Sequence, residues 1–243
     1  MKKKKAIYSV LLVLLIGAVL FFYNAFNGNP ISKYYSKKVL EDYLTETYPD
    51  RKFHINDGFY NFKFSEYVFE IIEIGSNAGG QEKYEIIVQG FIQPTISWDG
   101  IYYANLDEGL MEKLSQEASK ELKQLLSEKI SSLKGVDVFI EVQKGDFDPS
   151  VTWNKELKLQ KPMWIDILLD STNQTKEDVF NDAKKIQKIV DENGYRYSHV
   201  NINGNGFDNK YGSDKDDRGY VKYATSFDKD EKIRLKDIEE FNQ

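Results

Sequence analysis

Four consecutive lysines, Lys2 to Lys5, open the chain and are followed by an uncharged run from Ala6 to Ser32 whose centre, Val10 to Phe22, is almost wholly apolar. At about 1.5 Å of rise per residue, the stretch 6–26 makes a helix that can cross a hydrocarbon core of about 30 Å. The pattern predicts a transmembrane anchor at 6–26 that contacts the lipid bilayer directly. Tyr8 at one end and Phe21, Phe22 and Tyr23 at the other suit the two interfaces. The lysines assign residues 1–5 to a cytoplasmic tail, and the chain beyond the helix is then extracytoplasmic. A cleaved signal sequence fits less well, because Tyr23 stands where a small residue is wanted ahead of Ala25.

Beyond the anchor, Asn29 and Pro30 mark a helix start, as cap and first-turn residue. The helix is expected to run to about Tyr48, with Tyr35, Val39, Tyr43 and Leu40, Leu44, Tyr48 recurring every four residues along one stripe. From Lys52 the period becomes two. Tyr60, Phe62 and Phe64 alternate with Asn61 and Lys63, and apolar runs at Tyr67 to Ile74, Tyr84 to Val88 and Ile101 to Tyr103 read as further strands. The segment Ser76 to Gly80, and Gly90 with Pro94, separate them. Residues 27–104 are therefore expected to form a first α+β module, one helix packed on an antiparallel meander.

A second long helix is predicted to open on a capping box of Asn105 and Glu108 and to carry Leu110, Leu114, Ala118, Leu122, Leu125 and Leu133 on one side before Gly135. It is read as a linking helix, 105–135. Residues 136–243 form the second expected module: a strand over Val136 to Val142, a polar turn Lys144 to Pro149, and a strand ending at Trp164 to Leu169. A helix follows, capped by Thr175 with Asp178 and carrying Val179, Ala183, Ile186 and Val190, with strands at Tyr195 to Ile202 and Tyr220 to Phe227 after it. The order strand, strand, helix, strand, strand is that of a small α+β sandwich and lacks the long alternation of a doubly wound sheet.

The run Gly28-Asn29-Pro30, then Lys38, Tyr43-Leu44, Glu46-Thr47-Tyr48-Pro49 and Tyr60-Asn61-Phe62-Lys63, resembles the amino-terminal part of the YfjL-like proteins, and the segment from Asn173 to Val179 agrees with the layout of their second half. Those are single-span proteins of low-GC Gram-positive bacteria with no assigned activity. The resemblance implies a cell-membrane address and an α+β ectodomain, and it supplies no site residues.

Composition narrows the chemistry. Among 243 residues there is no cysteine and there are two histidines, so thiolate nucleophiles, disulfides and thiolate-bound metals are ruled out and histidine chemistry is thinly supplied. The net charge of −6 includes the four leading lysines, so the chain beyond them is more acidic still and no nucleic-acid partner is expected. His54 and His199 lie in strand-like segments far apart in sequence and read as structural. The carboxylate pairs Glu66 and Glu70, Asp146 and Asp148, and Asp166 and Asp170 could in principle serve a glycosidase, but with 39 acidic residues such pairs arise by chance. In the acidic loop Asn203 to Gly219, Asp214, Asp216 and Gly219 fit three positions of a calcium loop, yet Arg218 and Thr225 occupy ligand positions, which leaves a hairpin loop. Aromatic richness raises sugar binding, although core packing accounts for most of the rings.

No catalytic, cofactor-binding or metal-ligating residue is assigned, and no cofactor is called for. The expectation is a non-enzymatic binding or interaction ectodomain at the cell envelope with an unknown envelope or membrane-protein partner. A ligand sensor, a transport accessory and a carboxylate-dependent envelope hydrolase are the alternatives.

Overall fold

The computed structural model of the protein describes residues 2–75, 82–90, 93–208 and 219–241, and its chain forms two compact units, Met1–Asn105 and Leu106–Gln243. The architecture is α+β with an apolar N-terminal helix.

In the first unit, helix α1 (Lys2–Asn27) is apolar all round: Val10, Leu11, Leu12 and Val13, which point to four sides of a helix, are each more than half exposed. Among the described residues it supplies the one stretch long and apolar enough to cross a membrane. Gly28, at φ +74°, breaks the helix, and an added Cβ there would lie 2.5 Å from the Tyr67 hydroxyl. Helix α2 (Pro30–Thr47) then starts as its sequence requires, with the Asn29 side chain accepting from the Ile31 amide and Pro30 in the first turn.

Strands β1 (Phe53–Ile55), β2 (Phe59–Asn61), β3 (Glu66–Glu73), β4 (Lys83–Gln89) and β5 (Thr95–Asp99) form an antiparallel sheet in which β1 and β2 share one edge of β3, while β4 and β5 continue from the other. The buried row of α2 is Ser32, Ser36, Leu40 and Leu44, which adds two serines to the expected stripe and leaves Tyr35 exposed. Leu40 and Leu44 pack on Phe69, Ile71, Ile86, Val88 and Ile101. Burying each such side chain contributes about 1.5–3 kcal/mol.

Two expectations change here, and a third lies on residues outside those described. Ile101 to Tyr103 is not a strand but lies in the short helix α3 (Gly100–Ala104), because the Asp99 side chain caps the Ile101 and Tyr102 amides and turns the chain. Phe62 and Phe64 leave the sheet after Asn61 in a turn held by Ser65 at φ +55°, and neither enters the core. Of the separator Ser76 to Gly80, all residues lie outside those described.

The second unit comprises α4 (Glu108–Ser127), β6 (Leu133–Phe139), β7 (Met163–Asp170), α5 (Lys176–Glu192), β8 (Tyr197–Gly206), β9 (Tyr220–Asp228), a 3-10 turn at Leu235–Asp237 and β10 (Glu239–Glu240). Its sheet runs β10-β9-β8-β7-β6; the β7–β8 pair is parallel, joined through α5, and the others are antiparallel. Val179, Ala183, Ile186 and Val190 of α5 and Leu110, Leu114, Ala118, Leu122 and Leu126 of α4 belong to one core with Val138, Ile165, Ile167, Val200 and Ile202. The helix expected to link the modules is thus a layer of the second one. Its cap is Asp107, which accepts from the Leu110 amide, rather than Asn105. It ends at Ser127, short of Gly135: Ile130 drops into the core, and Leu133 begins β6, displaced toward the N-terminus from the expected Val136 to Val142. The Thr175–Asp178 capping box forms as read.

Edge strand β6 is closed in an unusual way. The outward amides of Val138 and Ile140 donate to the Ser119 and Ser115 hydroxyls of α4 at 2.8 and 3.0 Å, so backbone donors that could template another strand are already used.

Candidate functional site

Both helices of the second unit cover one face of its sheet, leaving the other to alternate residues of the strands. Strand β8 reads His199-Val200-Asn201-Ile202-Asn203, apolar inward and polar outward. Register aligns Phe139, Trp164, His199 and Asp228 in one cross-strand row and Asp137, Asp166, Asn201 and Ser226 in the next.

Hydrogen bonds join these rows into a ladder. His199 Nδ1 lies 2.5 Å from Asp228 Oδ1, and His199 Nε2 lies 2.8 Å from Asn201 Oδ1. The Asn201 amide nitrogen donates to Asp166 Oδ1 at 3.0 Å, and the Trp164 indole nitrogen donates to the same oxygen at 3.0 Å. The polarity of the ladder is fixed from its ends. With the Asn201 nitrogen committed to a carboxylate, its oxygen faces the imidazole, and Asp228 faces the other ring nitrogen. Both nitrogens therefore have acceptors, an arrangement that the doubly protonated ring satisfies. Burial pushes the His199 imidazole down, but the Asp228 carboxylate, the Asn201 oxygen and Asp166 outweigh it, and the ring titrates above its ordinary value of 6.5.

Trp164 is 47% exposed and meets the His199 ring edge-on at 5.2 Å; Phe139, opposite it on β6, is 53% exposed. A polar cavity of about 630 Å³ adjoins the ladder, with Asn201, Asn203, Ser226, Glu231, Lys236 and Glu239 in its walls. The face combines a half-fixed indole with amide, carboxylate and imidazole groups whose orientations are set. That equipment suits recognition of a polar ligand with a flat side.

The sequence candidates are distributed differently. His54 sits on β1 opposite Ile72, in the other unit from His199. Asp146 accepts from the Gln143 amide and Asp148 from the Ser150 amide and hydroxyl, so both serve a turn, and the Ser150 bonds hold Asp148 below the usual carboxylate range. Glu66 engages Asn61, and Glu70 engages Asn56 and Lys83. Asp166 joins the ladder, while Asp170 accepts from the Thr172 amide and hydroxyl. Asn203 to Gly206 extend β8, and Asp214, Asp216 and Arg218 of the calcium reading lie outside the described residues. Sequence reasoning missed Asn201, which the period-two alternation of β8 signals, and Asp228, which lies on β9 and meets His199 only through strand pairing.

A second polar cluster closes on itself. Asp99 accepts from the Tyr43 and Tyr48 hydroxyls at 2.6 and 2.5 Å through one oxygen while capping α3 through the other. Burial and then the Asp99 bond push the Tyr43 phenol up to about 12 and Tyr48 further in the same direction. Every atom of the Asp99 carboxylate has a structural task.

Fold and site together define a two-unit α+β protein headed by an apolar, span-length helix. The chain matches the family models of the YfjL-like N-terminal domain over residues 3–100 and of the YfjL-like C-terminal domain over residues 117–239. It is 31% identical over 237 residues to the uncharacterised protein YfjL of Bacillus subtilis strain 168, an alignment covering 98% of each chain. It belongs to the YfjL-like family. No solved structure matches it.

Proposed function

We propose that this protein is a single-pass membrane protein whose N-terminus is cytoplasmic and whose two units stand outside the cytoplasm, as a non-enzymatic binding ectodomain at the cell envelope. The lysine cluster ahead of α1 and the all-round apolar surface of that helix support the anchor and its orientation. The single observation behind the binding role is the open face of the second sheet, where Trp164 and Phe139 are exposed beside the ladder from Asp166 to Asp228. The ligand class that suits it is a hydroxyl-rich envelope polysaccharide: one sugar face packs on the Trp164 indole, and the hydroxyls meet oriented Asp and Asn groups.

The test uses the full chain in lipid nanodiscs, titrated with solubilised wall polysaccharide while the tryptophan fluorescence is followed. Trp164→Ala is expected to weaken binding about tenfold or more, the loss of an aromatic contact worth at least about 1.4 kcal/mol. Wild-type protein that binds no wall polysaccharide, or a Trp164→Ala variant that binds as tightly as wild type, contradicts the reading.

A further inference from the structure

Exposed large apolar side chains of the first unit gather beside the end of α1. Phe62 packs edge-on against Phe26, in the last turn of that helix, with ring centroids 5.3 Å apart. Phe64 lies two residues further along the same turn and is 64% exposed. Ile31 and Tyr34, in the first turns of α2, are also exposed. The turn is not a loose loop. Ser65 fixes it in the left-handed region, the Gln89 side chain donates to the Phe64 carbonyl, and Gly28 fits tightly against Tyr60 and Tyr67 at its base. Lys63 stands between the two phenylalanines in sequence and is exposed like them.

We infer that this collar seats the first unit on the bilayer surface, with Phe62 and Phe64 entering the headgroup and upper acyl region and Lys63 meeting lipid phosphate. The inference rests on the anchor reading above and adds a second, non-spanning contact to it. Continuity argues for lipid as the occupant: Phe26 closes the apolar run of α1, so a ring in contact with it lies at the depth where an outer interface would be. The chemistry agrees, since aromatic side chains with a neighbouring cation are the residues that settle at that boundary. Lys33 lies in the first turns of α2, where its charge is shared with Asp57 at 2.7 Å.

Because the chain lacks cysteine, single cysteines can carry an environment-sensitive fluorophore without background. Full-length protein bearing Phe62→Cys, Phe64→Cys, Phe22→Cys or Glu46→Cys is placed in nanodiscs of phosphatidylethanolamine and phosphatidylglycerol that contain nitroxide-labelled lipid. Probes at 62 and 64 are expected to be quenched at least twofold more by shallow than by deep nitroxides. The probe at 22 should be quenched in the bilayer, and the probe at exposed Glu46 by neither. If 62 and 64 behave like 46 while 22 is quenched, the collar is not a lipid seat and the anchor stands. If 22 is also unquenched, the anchor reading itself fails. Probes that are water-exposed in lipid nanodiscs yet protected in native membranes would overturn the lipid assignment in favour of a protein.

Discussion

Tyr67 and Asn29 are bonded twice: the Asn29 amide donates to the Tyr67 hydroxyl at 2.9 Å, and that hydroxyl donates to the Asn29 carbonyl at 2.9 Å. Ser32 Oγ lies 2.7 Å from the same phenol oxygen. One side chain of β3 thereby fixes the point where α1 ends and α2 begins.

Tyr67→Phe keeps the ring and removes the hydroxyl, leaving the Asn29 amide without its acceptor and the buried Ser32 hydroxyl with the Asn29 carbonyl alone. The expected cost is about 1–3 kcal/mol in the first unit. Hydrogen exchange should report it as faster exchange over residues 29–33, with the amides of β8 unchanged. Unchanged exchange at 29–33 would remove the junction from this account.

The same junction separates what could be read from the chain from what could not. Asn29 and Pro30 announce a helix start by local chemistry, and Thr175 with Asp178 does the same for α5; both form as read. Apolar periodicity likewise identified the row of α5 and the first four residues of that of α4, Leu110, Leu114, Ala118 and Leu122; the α4 row closes on Leu126 rather than Leu125, and Leu133 belongs to β6. Local pattern failed where a tertiary partner decides. Ile101 to Tyr103 has strand composition, yet Asp99, held by Tyr43 of α2 and by Tyr48 just past its end, caps it into a helix. The α4 helix looked like a linker because its apolar row says only that it is buried, not against what. The ladder was half legible. His199 and Asn201 share a strand face by period two, whereas Asp166 and Asp228 reach them only through strand order and the parallel β7–β8 pairing.

Ser115 and Ser119 are expected to protect the sheet edge. Changing both to Ala leaves the Val138 and Ile140 amides without acceptors, a loss on the order of 1–2 kcal/mol for each, and restores an open edge. Exchange at those two amides should accelerate, and the purified variant should self-associate more readily in light scattering. Slow exchange retained in the double variant would mean that the hydroxyls are incidental.

His199 supplies a pH signature for the ladder. Its value in the folded chain is raised above the ordinary imidazole value of 6.5, so its stabilising contribution is complete below that pH and is lost as the pH rises through the higher folded value. Asp228→Asn removes the charge beside Nδ1 and should lower the His199 midpoint in an imidazole NMR titration. It should also flatten the decline in second-unit stability with rising pH. An unmoved midpoint would show that Asp228 does not hold the charged ring.

The central claim is the address of the two units, and cysteine-free sequence makes it directly measurable. Single cysteines at Gln124, exposed on α4, and at Lys4, ahead of the apolar core of α1, are treated in intact wall-stripped cells with a membrane-impermeant maleimide. The account predicts labelling of Gln124→Cys in intact cells and of Lys4→Cys only after permeabilisation, with both variants in the membrane fraction. Labelling of Lys4→Cys but not Gln124→Cys in intact cells, or recovery of the chain in the soluble fraction, would contradict it.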